Sequence, residues 1–526
     1  MPYCRKSGQW PAGEEWLFEA MNETYLPLLS LFRRFQRNNL KPHIMVGVVP
    51  ILAEQLADDY MKDRYIEYTE DRISRAEKEI ERFQTNEKKK QVAQYWKEFY
   101  THNLYAFNQH FYQDILGTLK WLQEENVIEI LTSAATHGLL PLMKYDSSIY
   151  SQVQLGMDTY RKYFERDPKG FWLPECAYRP REWSDFHNRE RKAIDEWLAE
   201  AGIQYFFVEN VGIENASFVE QKNAGEPPSV FRGYKLESGV YVFGRNQKTG
   251  KQVWSPEYGY PGDPYYREFH KKDSESGLHY WRVSEGGDEK KIYVPMKAQA
   301  RSQDHAQHFV DLMRKTLQDA HEKYDFSSAL PIINSQYDCE LFGHWWFEGI
   351  DWIEDTYNLL LKKYKDEFDC VSLSEYIGQY GDSFSTIRMQ RSSWGENSDF
   401  SVWEDEKHAW VWPYINSSTK DFEDVLANIF NNGKDLSDWE IRILRQTGRE
   451  LLLMEGSDWP FLLHTKQATS YANKRFHNHH QRFNKLIWAA KDLNDYERIS
   501  DEKLKEMEDI DNPWADLDFG LFKRIE

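Results

Sequence analysis

Seven short apolar runs punctuate the chain, at 43–48, 127–131, 170–174, 205–208, 240–244, 330–334 and 370–373, with charged or amphipathic stretches between them. A strand buried on both faces shows no polar alternation. Such runs separated by segments of helical period therefore read as parallel strands joined by crossover helices, in an α/β barrel or a doubly wound sheet. Reactive side chains gather just after the runs, at Pro174-Glu175-Cys176 and from Asn334 to Asp338. In a barrel that edge is the C-terminal face, where active sites lie.

Two regions depart from this alternation. From about 58 to 126 the sequence is charged, almost free of Gly and Pro and helical in period, too long for one crossover, which predicts a helical insertion. Beyond about 380 the strand pattern fades, and 421–432, 437–454 and 469–495 have the spacing of packed helices, preceded by a Trp-rich stretch from Trp394 to Trp412. The expected organisation is a catalytic region over 1–380 and a helical C-terminal domain over 381–526. The acidic tail from Asp501 is expected to be partly disordered.

Length and composition narrow the function. At 526 residues the chain exceeds what one compact core usually holds. A formal charge of −20 argues against nucleic acid or an anionic membrane surface as partner, since both demand clustered Lys and Arg. Aromatic residues make up 16% of the chain, including 20 Trp, and such rings offer flat faces to the C–H surfaces of sugars. Four cysteines without a close pair give neither a disulfide framework nor a zinc site, and point to a reducing compartment. No apolar run approaches the roughly 20 residues that a membrane span needs. The N-terminus lacks the basic and apolar regions of a signal peptide, so a soluble cytoplasmic protein is expected.

Glu175 and Asp338 each end an apolar run amid aromatic neighbours. Two carboxyl groups at strand ends suit glycoside chemistry, one attacking the anomeric carbon and the other protonating the leaving oxygen and later activating an incoming hydroxyl. On the residues alone, loop carboxylates that cap neighbouring helices are the favoured reading. Other features take plainer readings. His477, His479 and His480 do not share one helix face and show no acidic or Cys partner, Lys88–Lys90 reads as a solvated helical surface, and Cys176 and Cys339 point away from the carboxylates they follow.

Several segments together resemble glycoside hydrolase family 57, and within it the 1,4-α-glucan branching enzymes with a helical C-terminal domain. They are Glu14 to Ala20 (EEWLFEA), Thr132 to Gly138 (TSAATHG), Trp172 to Tyr178 (WLPECAY), Val253 to Ser255 with Gly259 to Asp263 (GYPGD), Asp338 to Trp346 (DCELFGHWW) and Ser457 to Trp459 (SDW), in family order over nearly the whole chain. The resemblance implies a (β/α)7 barrel with a helical insertion and a C-terminal all-α domain. It implies retaining chemistry on an α-glucan such as glycogen or amylose, with Glu175 as nucleophile, Asp338 as general acid/base and no metal or organic cofactor. Substrate contacts fall on Arg245, Gly262, Asp458 and a tryptophan placed at Trp394, with Trp403 as the competing position. His137, His344 and Trp254 are expected to line the pocket. An acceptor-orienting tyrosine is expected on the loop around 223–235, at Tyr234 or with Phe231 in its place.

The same catalytic residues would serve an α-amylase or a 4-α-glucanotransferase, and a non-catalytic glucan-binding relative is the alternative from another class. Similar enzymes begin with a strand ending in His-x-His, just before the segment that here reads Pro2 to Arg5, so the first barrel strand is expected to be missing. Oligomeric state is left open.

Overall fold

The computed structural model of the chain describes residues 2–8, 12–222, 225–255, 257–284, 290–431, 433, 435–491 and 499–525. Five of the apolar runs form parallel strands that pair in chain order: Ile44–Gly47, Ile128–Ser133, Gly170–Trp172, Tyr205–Val208 and Tyr241–Gly244. Ile44 lies opposite Ile128, Thr132 opposite Phe171, Gly170 opposite Tyr205, and Tyr205 opposite Tyr241. Successive parallel neighbours with helices between them build the α/β barrel wall and put every strand's C-terminal end on one edge. Three short strands, Tyr234–Lys235, Thr386–Arg388 and Ser217–Glu220, extend the sheet beyond the fifth.

The runs at 330–334 and 370–373 do not become ladder strands, which corrects the expectation for both. Pro331 removes one backbone donor, and Ser372 forms a capping box with Glu375 that starts the helix Leu373–Tyr380. The first segment is still held beside the sheet by single bonds, from Ile332 N–H to the carbonyl of Phe231 in the loop before Tyr234 (3.0 Å) and from Asn246 N–H, just past the fifth strand, to the Asn334 carbonyl (2.8 Å).

Alternation along the strands sorts the side chains into two sets. Leu131, Tyr205, Phe207 and Phe243 pack on one face with Ile332, Val371 and Leu373, so the two irregular segments help fill the barrel interior. Phe171, Phe206, Val208 and Val242 turn the other way onto helix side chains such as Ile149, Val153 and Trp197. Full burial of each such side chain stabilises the fold by roughly 1.5–3 kcal/mol. Gly170 has to lack a side chain, because a Cβ there would come within 2.5 Å of the Tyr205 ring.

Between the first and second strands the charged region is helical, as its period predicts. Asp59–Arg82 and Glu87–Tyr105 are capped by Asp58 and Asn86 respectively, and Ile115–Glu124 leads back to the sheet. Trp96 is buried among these helices and donates its indole N–H to the His279 carbonyl at 2.6 Å.

After the last strand come Val411–Asn431, Asp438–Met454, Asp458–Thr465, Thr469–Ala490 and Asp501–Ile510. Their apolar faces share one core that includes Phe422, Leu444, Leu451, Phe476 and Phe483. The tail is ordered, contrary to expectation, because its acidic residues are interleaved with Leu504, Met507, Trp514, Leu517 and Phe522, all buried in that core. Trp514 donates its indole N–H to the Thr159 hydroxyl at 2.8 Å, tying the tail to a helix of the barrel. His479 does have acidic neighbours, Glu450 (2.7 Å) and Asp511 (3.6 Å), which its sequence context did not reveal. Arg482 pairs with both carboxylates and Arg475 with Asp511, so the cluster is a charge-balanced buried network. Among the described residues no helix is long and apolar enough to cross a membrane.

Candidate active site

The strand Gly170–Trp172 runs into Leu173 and Pro174 and then turns sharply. Glu175 and Cys176 both adopt the left-handed region, with φ of 59° and 49°. Two adjacent non-glycine residues held there cost on the order of 1–3 kcal/mol each, so the surroundings must impose the turn. Cys176 N–H bonds the Leu173 carbonyl (2.9 Å), Ala177 N–H the Pro174 carbonyl (3.0 Å), and Trp394 N–H the Glu175 carbonyl (3.0 Å). The turn aims the Glu175 carboxyl at two side-chain donors. Trp394 Nε1–H reaches Oε2 at 2.7 Å, and the Ser457 hydroxyl reaches Oε1 at 3.1 Å.

Behind Ser457 stands His137, its Nδ1 2.8 Å from the serine oxygen and 3.8 Å from Glu175 Oε1. Burial pushes the His137 imidazole down to about 4, although the nearby Asp458 charge works against this, so the ring is neutral at pH 7. Asp458 begins the helix Asp458–Thr465 right beside Ser457.

Asp338 closes the irregular segment that follows the fifth strand, and its carbonyl accepts from Leu341 N–H at 3.2 Å. Burial pushes its carboxyl up to about 7, with the Glu340 and Asp458 charges adding and Arg245 opposing. Glu175 is also pushed up to about 7, first by burial and then by the Asp338 and Asp458 charges, while Trp394 and Ser457 pull it back. The two carboxyl groups are partly buried and both raised toward neutrality, and Glu175 feels the charge of Asp338, an arrangement able to divide proton donation from nucleophilic attack.

Arg245 leaves the end of the fifth strand, its N–H bonded to the Val208 carbonyl at 3.0 Å. Its guanidinium pairs with Glu209 at 2.5 Å and lies 5.6 Å from the centre of the Trp394 ring. The other side of this aromatic group is Trp172, edge-on to Trp394 at 5.9 Å.

Glu175 at the end of a strand and Asp338 at the end of a strand-like segment form an acid pair suited to glycoside chemistry. The model for glycosyl hydrolase family 57 matches residues 1–387. The chain belongs to this family. A second model, for the C-terminal region of 1,4-alpha-glucan branching enzymes, matches residues 419–522. A 1,4-alpha-glucan branching enzyme of Thermococcus kodakarensis is 40% identical, over 99% of this chain and 77% of its own. The crystal structure of the family 57 branching enzyme of Pyrococcus horikoshii superposes with a TM-score of 0.90 at 36% identity, covering 100% of this chain and 95% of its own. The α-amylase AmyC of Thermotoga maritima superposes with a TM-score of 0.83 at 28% identity, covering 100% and 98%.

Against the family expectation, the fold assembles Glu175, Asp338, Arg245, His137, Asp458 and Trp394 around one centre. Gly262 is the exposed end of the turn Tyr260–Gly262, whose Tyr260 is buried, and an added Cβ at Gly262 would meet open space. Trp254 is 46% exposed and packs against Trp345, itself 41% exposed, with ring centres 5.7 Å apart.

Two expectations are corrected, those for Trp403 and for Tyr234. Trp403 is 1% exposed in the core of the C-terminal helices, its ring against Gly395 and its carbonyl taken by the Trp412 indole, so it has no face to offer a sugar. Tyr234 is no loop tip. It is 2% exposed in a short strand opposite Val242, and its hydroxyl accepts from Ser229 N–H at 2.6 Å. Phe231, its alternate, packs against the same cluster and lies near Tyr324, while residues 223 and 224 of that loop lie outside the described residues. His344 turns to a buried ion cluster, its Nδ1 3.0 Å from Glu23, which also pairs with Arg267 at 3.1 Å. Burial opposes ionisation of Glu23, yet Arg267 and His344 hold its carboxyl below the usual range.

Ser457, Glu209, Trp172 and Trp345 are the residues that sequence reasoning missed. Ser457 stood inside the Ser457-Asp458-Trp459 segment but is too common a residue type to single out. Trp345 stood beside His344 in the most distinctive segment of all, and its exposure next to Trp254 is visible only in the fold.

Proposed function

We infer that the protein is a retaining 1,4-α-glucan branching enzyme, with Glu175 as nucleophile and Asp338 as general acid/base. The observation that carries this reading is the unlike surroundings of two partly buried carboxyls: Trp394 and Ser457 donate to Glu175, while burial and the Glu340 charge raise Asp338 toward neutrality, where it is able to give up and take back a proton. A Glu175 oxygen attacks the anomeric carbon of an α-1,4-linked glucose as the bond to the leaving 4-oxygen breaks, and the Asp338 proton passes to that oxygen. The ester so formed is resolved by a 6-hydroxyl of an acceptor chain. Its proton goes to Asp338, its oxygen bonds to the anomeric carbon, and Glu175 leaves as carboxylate. Retention by this route expects the two carboxyls about 5–5.5 Å apart.

Arg245 and Asp458 are assigned to sugar hydroxyls, Trp254 to a sugar face at the exposed mouth, and Gly262 to close approach of the chain. The net charge of −20 and the exposed aromatic pair favour a neutral glucan as partner, and a cytoplasmic location fits the cysteine usage.

Hydrolysis is the second reading, favoured by the likeness to the Thermotoga maritima α-amylase over the full chain. Incubation with amylose separates the two. New α-1,6 linkages well in excess of new reducing ends support branching, and reducing ends without linkages would sink it in favour of hydrolysis.

A further inference from the structure

We propose that Ser457 is a positioning residue that orients the Glu175 carboxylate and sets the tautomer of His137, so that the C-terminal helical region completes the nucleophile's surroundings. The assignment rests on Glu175 being the nucleophile. His137 Nδ1 is too far from Glu175 Oε1, at 3.8 Å, for a direct hydrogen bond, and the Ser457 hydroxyl lies between them at 2.8 and 3.1 Å.

With Glu175 ionised, as a nucleophile must be, donor and acceptor counting fixes every proton in this hydrogen-bonded chain. An ionised carboxylate only accepts, so Ser457 O–H donates to Glu175. The serine oxygen is left as the acceptor for His137, whose single proton must sit on Nδ1. Neutral imidazole protonated there presents a lone pair on Nε2, which suits it to accept from a sugar hydroxyl.

Ser457 is built into a rigid junction. It is 1% exposed, and its N–H bonds the His137 carbonyl at 3.1 Å. Gly456 bridges Gly138 beside it. One step further out, the Thr136 hydroxyl donates to the Leu452 carbonyl at 2.6 Å, and Gln152 donates both to Thr136 (2.7 Å) and to Glu455 (2.8 Å). The turn between two C-terminal helices is thereby fastened to the loop that carries His137. A hydroxyl held on both sides in this way has one orientation, which is what a positioned nucleophile requires.

The test compares Ser457→Ala, Ser457→Thr and Ser457→Val in the full chain, following total glucan turnover as new linkages plus new reducing ends, so that acceptor choice does not enter. Loss of the donor should lower kcat about tenfold with KM within about twofold and move the acid limb of the profile up by about half a pH unit, in Ala and Val alike. Thr keeps a hydroxyl and should regain most of both. Val and Thr share shape, so any folding defect is common to them. Equal profiles for Val and Thr, or an acid limb that stays in place in Ala, overturns the proposal. Nitrogen-15 shifts of His137 in the parent protein give an independent reading: the Nδ1–H form is expected, and the Nε2–H form overturns it. Glu175→Gln serves as control. Its retaining activity would refute the nucleophile itself, a result distinct from any outcome at Ser457.

Discussion

The strand-end edge of the barrel and the C-terminal helical region meet at one carboxyl group and bring different things to it. The barrel supplies Glu175, Asp338 and Arg245, all of which follow strands or strand-like segments. Ser457 and Asp458 come from the helical region, and Trp394 from the stretch leading into it, and two of these three are direct donors to Glu175. In the proposed reading the groups at the barrel edge carry the bond changes, whereas Trp394 and Ser457 aim the Glu175 carboxyl and lower its pKa against the burial and neighbouring charges that raise it. Neither region holds a complete site.

The largest expected effect breaks the barrel's contribution outright. Glu175→Gln keeps the shape and both donors but removes the nucleophile, and turnover on amylose should fall by about 10³-fold or more while calorimetry still detects glucan binding. Ordinary turnover in this variant would show that the wrong carboxyl has been chosen.

Next in size is the helical side's share. Trp394→Phe keeps an aromatic ring and deletes the N–H that Glu175 accepts at 2.7 Å. Loss of a hydrogen bond to a charged group predicts a drop in kcat of about 10- to 100-fold, with the acid limb displaced upward. Trp403 sharpens the contrast nine residues away. Trp403→Ala should lower stability by about 3–5 kcal/mol in denaturant titration, because it empties a buried site. A conservative Trp403→Phe should leave KM for amylose nearly unchanged, and a large rise in KM would return Trp403 to the substrate.

The raised carboxyls give a dependence of stability on pH whose sign is opposite to that of an ordinary ion-paired acid. Glu175 is raised from 4.5 to about 7, so between these values the folded protein holds a proton that the unfolded chain has lost. Stability therefore falls as pH rises through this window, and the penalty is complete above about 7. Glu175→Gln should melt higher than the parent at pH 8 and no higher at pH 4, with a difference on the order of 3 kcal/mol at the upper end. Equal melting at both values would mean the carboxyl is not held in a desolvated place.

The smallest effect belongs to Tyr234. Removing its hydroxyl in Tyr234→Phe leaves the Ser229 N–H without that acceptor and should cost about 1–2 kcal/mol, with the ratio of new branches to new reducing ends unchanged. A shift of that ratio toward hydrolysis would restore the acceptor role that its burial argues against.

Glu175 and Asp338 were legible in the sequence because each ends an apolar run in a distinctive segment. The five ladder strands and the helical stretches were legible because burial on two faces and burial on one stripe leave different periods. The sequence could not tell Trp394 from Trp403. Both lie in one Trp-rich stretch, and only the packing of the C-terminal helices decides that one indole reaches a carboxylate and the other fills a core. It could not show that 330–334 and 370–373 fill the barrel without pairing in it, since apolar composition reports burial and not hydrogen bonding. Nor could it reveal Ser457, which lies 282 positions from Glu175 and meets it through a single hydroxyl. Periodicity and motif are local properties of the chain, and they determined the elements and the two candidate carboxyl groups. Which donors surround those groups is a matter of distant segments brought into contact, and that was decided by tertiary structure alone.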